Sequence, residues 1–531
     1  MLRPRDRQRS FYDADSVCER LIPQDSFYRK FREIVWPLIE DEHFKDMYCK
    51  DNGRPSISPA LLAMATILQF YRNLSDREME RACMYDIEVK YALGLRLDDR
   101  PFDHSSLGDF RERLLENGRE KEVFDRILDH LVNAGLIKKN EIQRIDATHV
   151  IADIAIPTMV MLIKKGVFEV LKQLKGRHKE AYTRIGKGID LEEYEKEKVH
   201  QEGPGRLDME NRERKLVEVV SHAKTVLMHT RNVKVDRELR RRIDVLKRIL
   251  QENIEEGEEG DPQEIHYKEK PKDIMVSPID SDARYGMKSE RKRFVGYKAN
   301  ITETVESRFI TNIKAMRGNV HDGKNAIETV VEQKELGIVP SKVIGDTAYG
   351  EANNRKVLHE HGTELVSPLG LRNTRTRAIF PKSMFRYDQK RKTLTCPQGV
   401  RTKMSFMDRK KGLTVYHFPM KKCNRCPVQR QCTNDRDGRR TVGMSPLYTE
   451  LRRAEQYNQT KEFREDMKLR PPIEGKVSEL TRYHGLRRCR YRGLTKLGLQ
   501  CYFTAAAVNI KRWVKVVMDK LKPKIPRLLP V

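Results

Sequence analysis

The chain has 531 residues, and its 105 Lys plus Arg outnumber 78 Asp plus Glu, giving a formal charge of +27. That length exceeds what one hydrophobic core serves, so roughly two to four domains are expected. The basic excess favours a polyanionic partner, nucleic acid first. Nine unevenly spread cysteines do not make a secreted disulfide framework. The N-terminal MLRPRDRQRSFYDADS lacks a signal peptide's apolar core, and the most apolar early run, Ala60–Tyr71, is shorter than a membrane span. A soluble, intracellular protein without a membrane partner is the expectation.

Residues 1 to 140 read as helical. Ser58-Pro59 gives an N-cap with proline in the first turn, and Leu61, Leu62, Ala65 and Leu68 supply an apolar face. Asn73-Leu74-Ser75 makes a turn, and Ser75 with Glu78 has capping-box spacing. Helix, short turn, helix in a basic chain fits a helix-turn-helix, and equally any helical hairpin. Asp103–Ser106 precedes a further helix over Phe110–Leu115, with His104 read as a turn residue.

Gln143–Val150 is a strand-like run with Asp146 inside it. A charged section follows from Pro157 to Asp273. In it Leu216, Val219, Ala223, Val226 and then Leu239, Ile243, Leu246, Leu250 recur at helical spacing, which predicts an inserted helical hairpin. Glu255–Pro262 interrupts that pattern and reads as an exposed linker. Strand patterns resume at Arg293–Ile301 and Phe309–Ala315, a plausible hairpin joined through Thr302–Ser307. His321-Asp322 opens a helix through Ile327, Val330 and Val331. That helix leads to Lys342-Val343-Ile344, a short buried strand ending at Asp346. An acid at the carboxyl end of such a strand faces the crevice where ligands bind, although Asp346 also suits a simple helix cap.

Between Pro381 and Arg440 there are 17 Lys plus Arg against four Asp. The same stretch holds Cys396, Cys423, Cys426 and Cys432, the number of thiolates a closed tetrahedral zinc site needs. Four reduced thiols are the alternative; four Cys ligands leave no open position, so a zinc here is structural. Arg470-Pro471-Pro472 then starts a helix with Glu474 in its first turn. From Thr481 to Met518 there are nine Lys or Arg and no acid, densest at Arg487, Arg488, Arg490 and Arg492. Such a run suits a phosphodiester backbone. A closing helix is expected over Leu499–Met518.

Two hard divalent ions held by shared carboxylates can serve in-line phosphoryl transfer, and two strands and a helix suffice to supply three acids. Here the residues resemble a family: bacterial insertion-sequence transposases with a DDE triad on a ribonuclease H-like fold, related to the groups numbered four and five. The matching stretches are IDATHV, FVGYKANI, MRGNVHDGKNA, VIGDTAYGEANN, RPPIEGKVSELTRYHGLRRCRYRGL and AAAVNIKR.

The resemblance implies an α/β, ribonuclease H-like mixed sheet flanked by helices, built from residues 141–156, 274–366 and 465–518. Ahead of it lies an N-terminal helical, DNA-binding part over 1–140. A helical insertion (157–273), a basic Cys-bearing insertion (367–464) and a basic tail (519–531) complete the chain. Asp146, Asp346 and Glu474 are implied as catalytic ligands of magnesium or manganese, with zinc in the Cys cluster. Arg470, Arg482, Arg487, Arg488, Arg490, Arg492 and Lys298 are implied as DNA contacts. The implied partners are element ends and target DNA, bound by a homodimer, in the bacterial cytoplasm near the nucleoid. Arg470 fits the arginine of the signature Tyr-x2-Arg-x3-Glu-x6-Lys, but its tyrosine position is Met467 and its lysine position Thr481, with Arg482 adjacent. A hairpin intermediate is therefore left open. Competing readings are an inactive or domesticated DNA-binding relative and a ribonuclease H-like nuclease without strand transfer.

Overall fold

In the computed structural model, residues 11–49, 56–154, 158–195, 209–231, 233–256, 262–265, 269–289, 292–369, 380–409 and 412–521 are described. Helix α1 (Pro59–Arg72) starts where Ser58 accepts from the Leu61 N–H, and it stops at Asn73, which takes a left-handed φ of 55°. The following helix, Asp76–Tyr85, carries the expected capping box between Ser75 and Glu78. His104 is not a turn residue. It opens the helix His104–Glu116, because Asp103 accepts from the Ser105 N–H and caps it there.

Strand β1 (Gln143–Ile151) is followed by α2 (Met159–Arg177), α3 (Met209–Thr230) and α4 (Arg237–Asn253). Among the described residues, the expected helical hairpin is three long helices with the short helix Lys179–Ile185 packed beside them. The Val160, Ile163, Val167, Val170, Leu174 stripe of α2 closes over Val219, Ala223, Ile243 and Leu246 in one buried cluster. In the expected linker, residues 257–261 lie outside the described residues, while the flanking Ile254–Glu256 and Pro262–Glu264 pair as a short antiparallel ribbon.

The remaining strands of the main sheet are β2 (Arg284–Ser289), β3 (Lys292–Thr304), β4 (Ile310–Arg317), β5 (Lys342–Ile344) and β6 (Glu364–Val366). Helix α5 (Ala326–Lys334) lies between β4 and β5 in the chain, and α6 (Ala352–Glu360) between β5 and β6. The strand order is β2-β3-β1-β5-β6, and β4 also pairs with β3, next to β2 along the edge opposite β1. β3 runs antiparallel to β1, β2 and β4, whereas β1, β5 and β6 are mutually parallel. The β3–β4 hairpin matches the sequence pattern. β2 was not expected, since RYGMKS places charged and exposed residues on a strand at the sheet's margin. The protein is thus mixed α/β with one curled mixed sheet among many helices.

Past β6, two small three-stranded sheets surround Phe385, Leu394, Tyr416, Phe418, Val442 and Met444. The chain then forms α7 (Lys461–Lys468), α8 (Pro472–Arg482) and α9 (Leu494–Leu521). α9 ties the parts together. Its Asn509 amide accepts from the Ile310 N–H and donates to the Ile310 carbonyl, both at 2.8 Å, pinning the helix to β4. Phe503 stacks on Phe70 of α1 at 5.9 Å between centroids. One contiguous buried cluster accordingly runs from Phe31 through Ile301 and Ile313 to Val514, so the N-terminal helices and the sheet share a core. Of the basic tail, residues 522–531 lie outside the described residues. Among the described residues, no helix is long and apolar enough to cross a membrane.

Candidate active site

The sheet's register sets the first two acids level. Asp146 of β1 is opposite Ile301 of β3, while Arg144 is opposite Ile344, two residues before Asp346. Both acids therefore emerge at the same height where β5 ends. The third comes from α8, which packs against β1 and carries Glu474 in its first turn. Asp146, Asp346 and Glu474 line one open cleft of about 590 Å³, together with Asp322, Lys298, Arg482 and Arg487.

Each acid is held differently. Asp146 accepts from the Ala147 N–H at 2.9 Å and, through its other oxygen, from Arg470 at 3.2 Å. Asp346 accepts from the Ala348 N–H at 2.8 Å, which caps the short turn Thr347–Tyr349, so the cap and the cleft position coexist in one side chain. Its carbonyl accepts from the Ser367 hydroxyl at 2.6 Å. Glu474 is 72% exposed and is approached by Arg470 at 3.6 Å. Arg470 therefore bridges the strand acid and the helix acid.

Two features beneath the cleft fix this arrangement. Arg144 and Glu303, 2% and 0% exposed, form a buried ion pair at 2.6 Å. Arg144 also donates to the Leu469 carbonyl at 2.9 Å, which ties β1 to the residue preceding Arg470. On the other side, Gly323 lies so close to the 346–350 turn that a Cβ there would meet the Ala348 carbonyl oxygen at 2.3 Å. Only glycine allows that approach, and it brings Asp322 beside Asp346. In the sequence Asp322, within MRGNVHDGKNA, signals only the start of a helix, and its place in the cleft depends on this packing. Its carboxylate is paired with Lys298 at 2.7 Å, and Lys298 also donates to the Val320 carbonyl at 2.9 Å. Lys298, expected as a DNA contact, is thus engaged inside the protein.

Burial dominates the electrostatics here. Burial pushes the Asp146 carboxyl up to about 6. Arg470 and the Ala147 N–H pull against that shift, and the charges of Asp346 and Asp322 add to it. Tyr349, buried behind the acids, is raised well above the usual phenol range by burial and by the same carboxylates. His149 is pushed down to about 4 by burial and by Arg487 and Lys288, so it is neutral at pH 7. An all-oxygen donor set of carboxylates fits a hard divalent cation. Among the described residues, the groups whose ligand atoms all lie within 4.8 Å of one another are Glu80–Asp103–His104 and Glu193–Glu218–His222, so the three acids stand wider than that spacing.

The basic run divides. Arg482 and Arg487 line the cleft, and Arg482 sits one position after Thr481, whose hydroxyl donates to the Val477 carbonyl of its own helix. Arg488 is exposed and Arg492 reaches the Asp153 carbonyl. Arg490 points elsewhere. It donates to the Leu74 carbonyl and Asn73 side chain and covers the Phe70 ring at 4.6 Å, joining α1 to the segment before α9.

Cys396, Cys423, Cys426 and Cys432 converge on a cavity of about 30 Å³. Burial raises the Cys432 thiol; Arg440 opposes the shift, and Cys423, Cys396 and Cys426 add to it. Four sulfur donors around a small cavity fit zinc, although no three of these sulfurs all lie within 4.8 Å of one another.

Residues 395–514 match the family model described as Transposase DDE domain, a span holding Glu474 and the four cysteines but neither Asp146 nor Asp346. Residues 16–113 match Transposase domain (DUF772), covering the N-terminal helices. No curated protein and no solved structure matches the chain.

Proposed function

Taking as premise that this chain is an insertion-sequence transposase with a DDE domain, we propose that it cleaves the ends of its element and joins them to target DNA by metal-dependent phosphoryl transfer. Asp146, Asp346 and Glu474 are the carboxylates of that reaction, on a ribonuclease H-like core. The observation that carries this reading is the meeting of the three acids in one cleft from β1, the end of β5 and the first turn of α8.

Magnesium or manganese, held by these acids, would activate the attacking oxygen and stabilise the leaving one. The protein's own residues do the rest. Backbone N–H groups fix one oxygen of the Asp146 and of the Asp346 carboxylate, and Arg470 meets the second oxygen of Asp146. Arg470 holds Asp146 and Glu474 near one another across the junction of β1 and α8. Arg482, Arg487 and the exposed Arg488 supply positive charge for the phosphodiester flanking the scissile bond. His149, neutral at pH 7, accepts from Arg487 at 2.8 Å and keeps that guanidinium at the cleft wall. In the Cys-bearing segment a zinc ion would replace a larger hydrophobic core.

The test is incubation with DNA carrying the element's own ends in magnesium. Nicking followed by joining of the freed 3′ ends to a second DNA supports a transposase. Hydrolysis without joining would favour a nuclease, and binding without either reaction would favour an inactive relative.

A further inference from the structure

The helical insertion faces the sheet across a second cleft, of about 790 Å³, that none of the chemistry above uses. Arg237, Arg240, Arg241 and Arg248 project into it from one face of α4, at spacings of three, four and seven residues, and Arg317 closes it from the end of β4. Two of these five are neutralised locally: Arg248 by Glu252 and Asp273, and Arg317 by Asp282. Arg237 and Arg240 are exposed and have no acidic partner among the described residues, and Arg241 meets only the Ser281 hydroxyl at 3.4 Å. The lining acid Glu238 is taken by Arg242, which leaves Asp244 as the one acid set against three guanidiniums. Helix surfaces usually intersperse such charges. A three-against-one excess in a cleft raises the local concentration of an anion.

The sheet register fixes where the Arg317 wall of this cleft lies. Arg317 is opposite Tyr297, Tyr297 is opposite Val150, and Val150 is four residues past Asp146 toward the same end of the sheet. At about 3.3 Å per residue and about 4.8 Å per strand, Arg317 stands roughly 16 Å from Asp146. A DNA strand carries one phosphate per ~3.4 Å, so that interval spans about five nucleotides.

We propose that the α4 arginine cleft binds the backbone of the same duplex whose scissile phosphate sits at the acids, with the Arg317 wall of the cleft about five base pairs away. The helical insertion is thereby a second phosphate clamp acting in cis. This rests on the reading of the protein as a DNA-cleaving transposase, and the experiment separates the two. The full-length protein and its Arg237→Gln/Arg240→Gln/Arg241→Gln variant are titrated with duplex carrying an element end across a salt series. A second duplex is cut back to three base pairs on either side of the cleavage point. On the long duplex the variant should lose up to about 2.7 of the log–log salt slope, at ~0.9 per phosphate contact, with an unchanged melting temperature. A triple Arg→Lys variant should recover most of that slope. On the short duplex parent and variant should bind alike. Equal slopes on the long duplex would overturn the cleft alone, and so would a deficit that persists on the short one. A parent protein that binds neither duplex would overturn both the clamp and the transposase reading.

Discussion

Asp146→Asn should stabilise the metal-free protein at pH 8 and leave it unchanged near pH 4. Asp146 is 18% exposed, has one arginine at 3.2 Å and shares the cleft with Asp322 and Asp346. Burial and those charges move its carboxyl from the ordinary 3.8 to about 6, with Arg470 opposing. Because the folded-state value lies above the unfolded one, the folded protein holds this proton more tightly. The resulting stability is complete below about pH 3.8 and is lost as pH rises through 6. About two units at ~1.36 kcal/mol each make the ionised carboxylate a burden of at most about 3 kcal/mol at pH 8. Asparagine keeps an acceptor for the Ala147 N–H while removing the charge, at the cost of the Arg470 ion pair, so a gain of roughly 1–2 kcal/mol is expected. Denaturant melts in EDTA at pH 4 and pH 8 measure it. Magnesium should then stabilise the parent more than the variant. A variant less stable than the parent at pH 8 would refute the argument from burial of the charged carboxylate.

Arg144→Met should cost roughly 2–3 kcal/mol, since the fully buried Glu303 carboxylate loses its closest partner and keeps only Arg308 at 3.0 Å and Lys476 at 3.7 Å; a loss below about 1 kcal/mol in a denaturant melt would show the pair to be dispensable. Cys423→Ser should abolish zinc retention, read by metal analysis of the purified protein, whereas a zinc-free parent would dismiss the site. Arg490→Gln should lower the melting temperature with little change in the salt slope of DNA binding, because Arg490 holds Leu74 and Asn73. Arg482→Gln should do the reverse, reducing the slope by about 0.9.

The signals that were legible in the sequence were local ones. Ser58-Pro59, Ser75 with Glu78, and the apolar run before Asp346 each announce an element through hydrogen bonding or burial within a few residues, and each element is present. What escaped depends on partners distant in the chain. Arg144 reads as a charged residue in a strand until β3 supplies Glu303 beside it. Asp322 reads as a helix start until Gly323 packs on Ala348. The division of the arginine run was invisible for the same reason: Arg487 and Arg490 are three residues apart, yet one meets His149 and the other Leu74. β2 lacked a pattern because its pairing with β3, rather than an apolar face, makes it a strand.

The central claim is that Asp346 acts with Asp146 and Glu474 in DNA cleavage rather than only capping the turn at Ala348. Asp346→Ala and Asp346→Asn, assayed side by side for binding by gel shift and for magnesium-dependent cleavage of the element's ends, separate these roles. Both variants should bind DNA as the parent does and cleave none of it, even though asparagine retains an acceptor for the Ala348 N–H. Cleavage by Asp346→Asn at the parental rate would contradict the account.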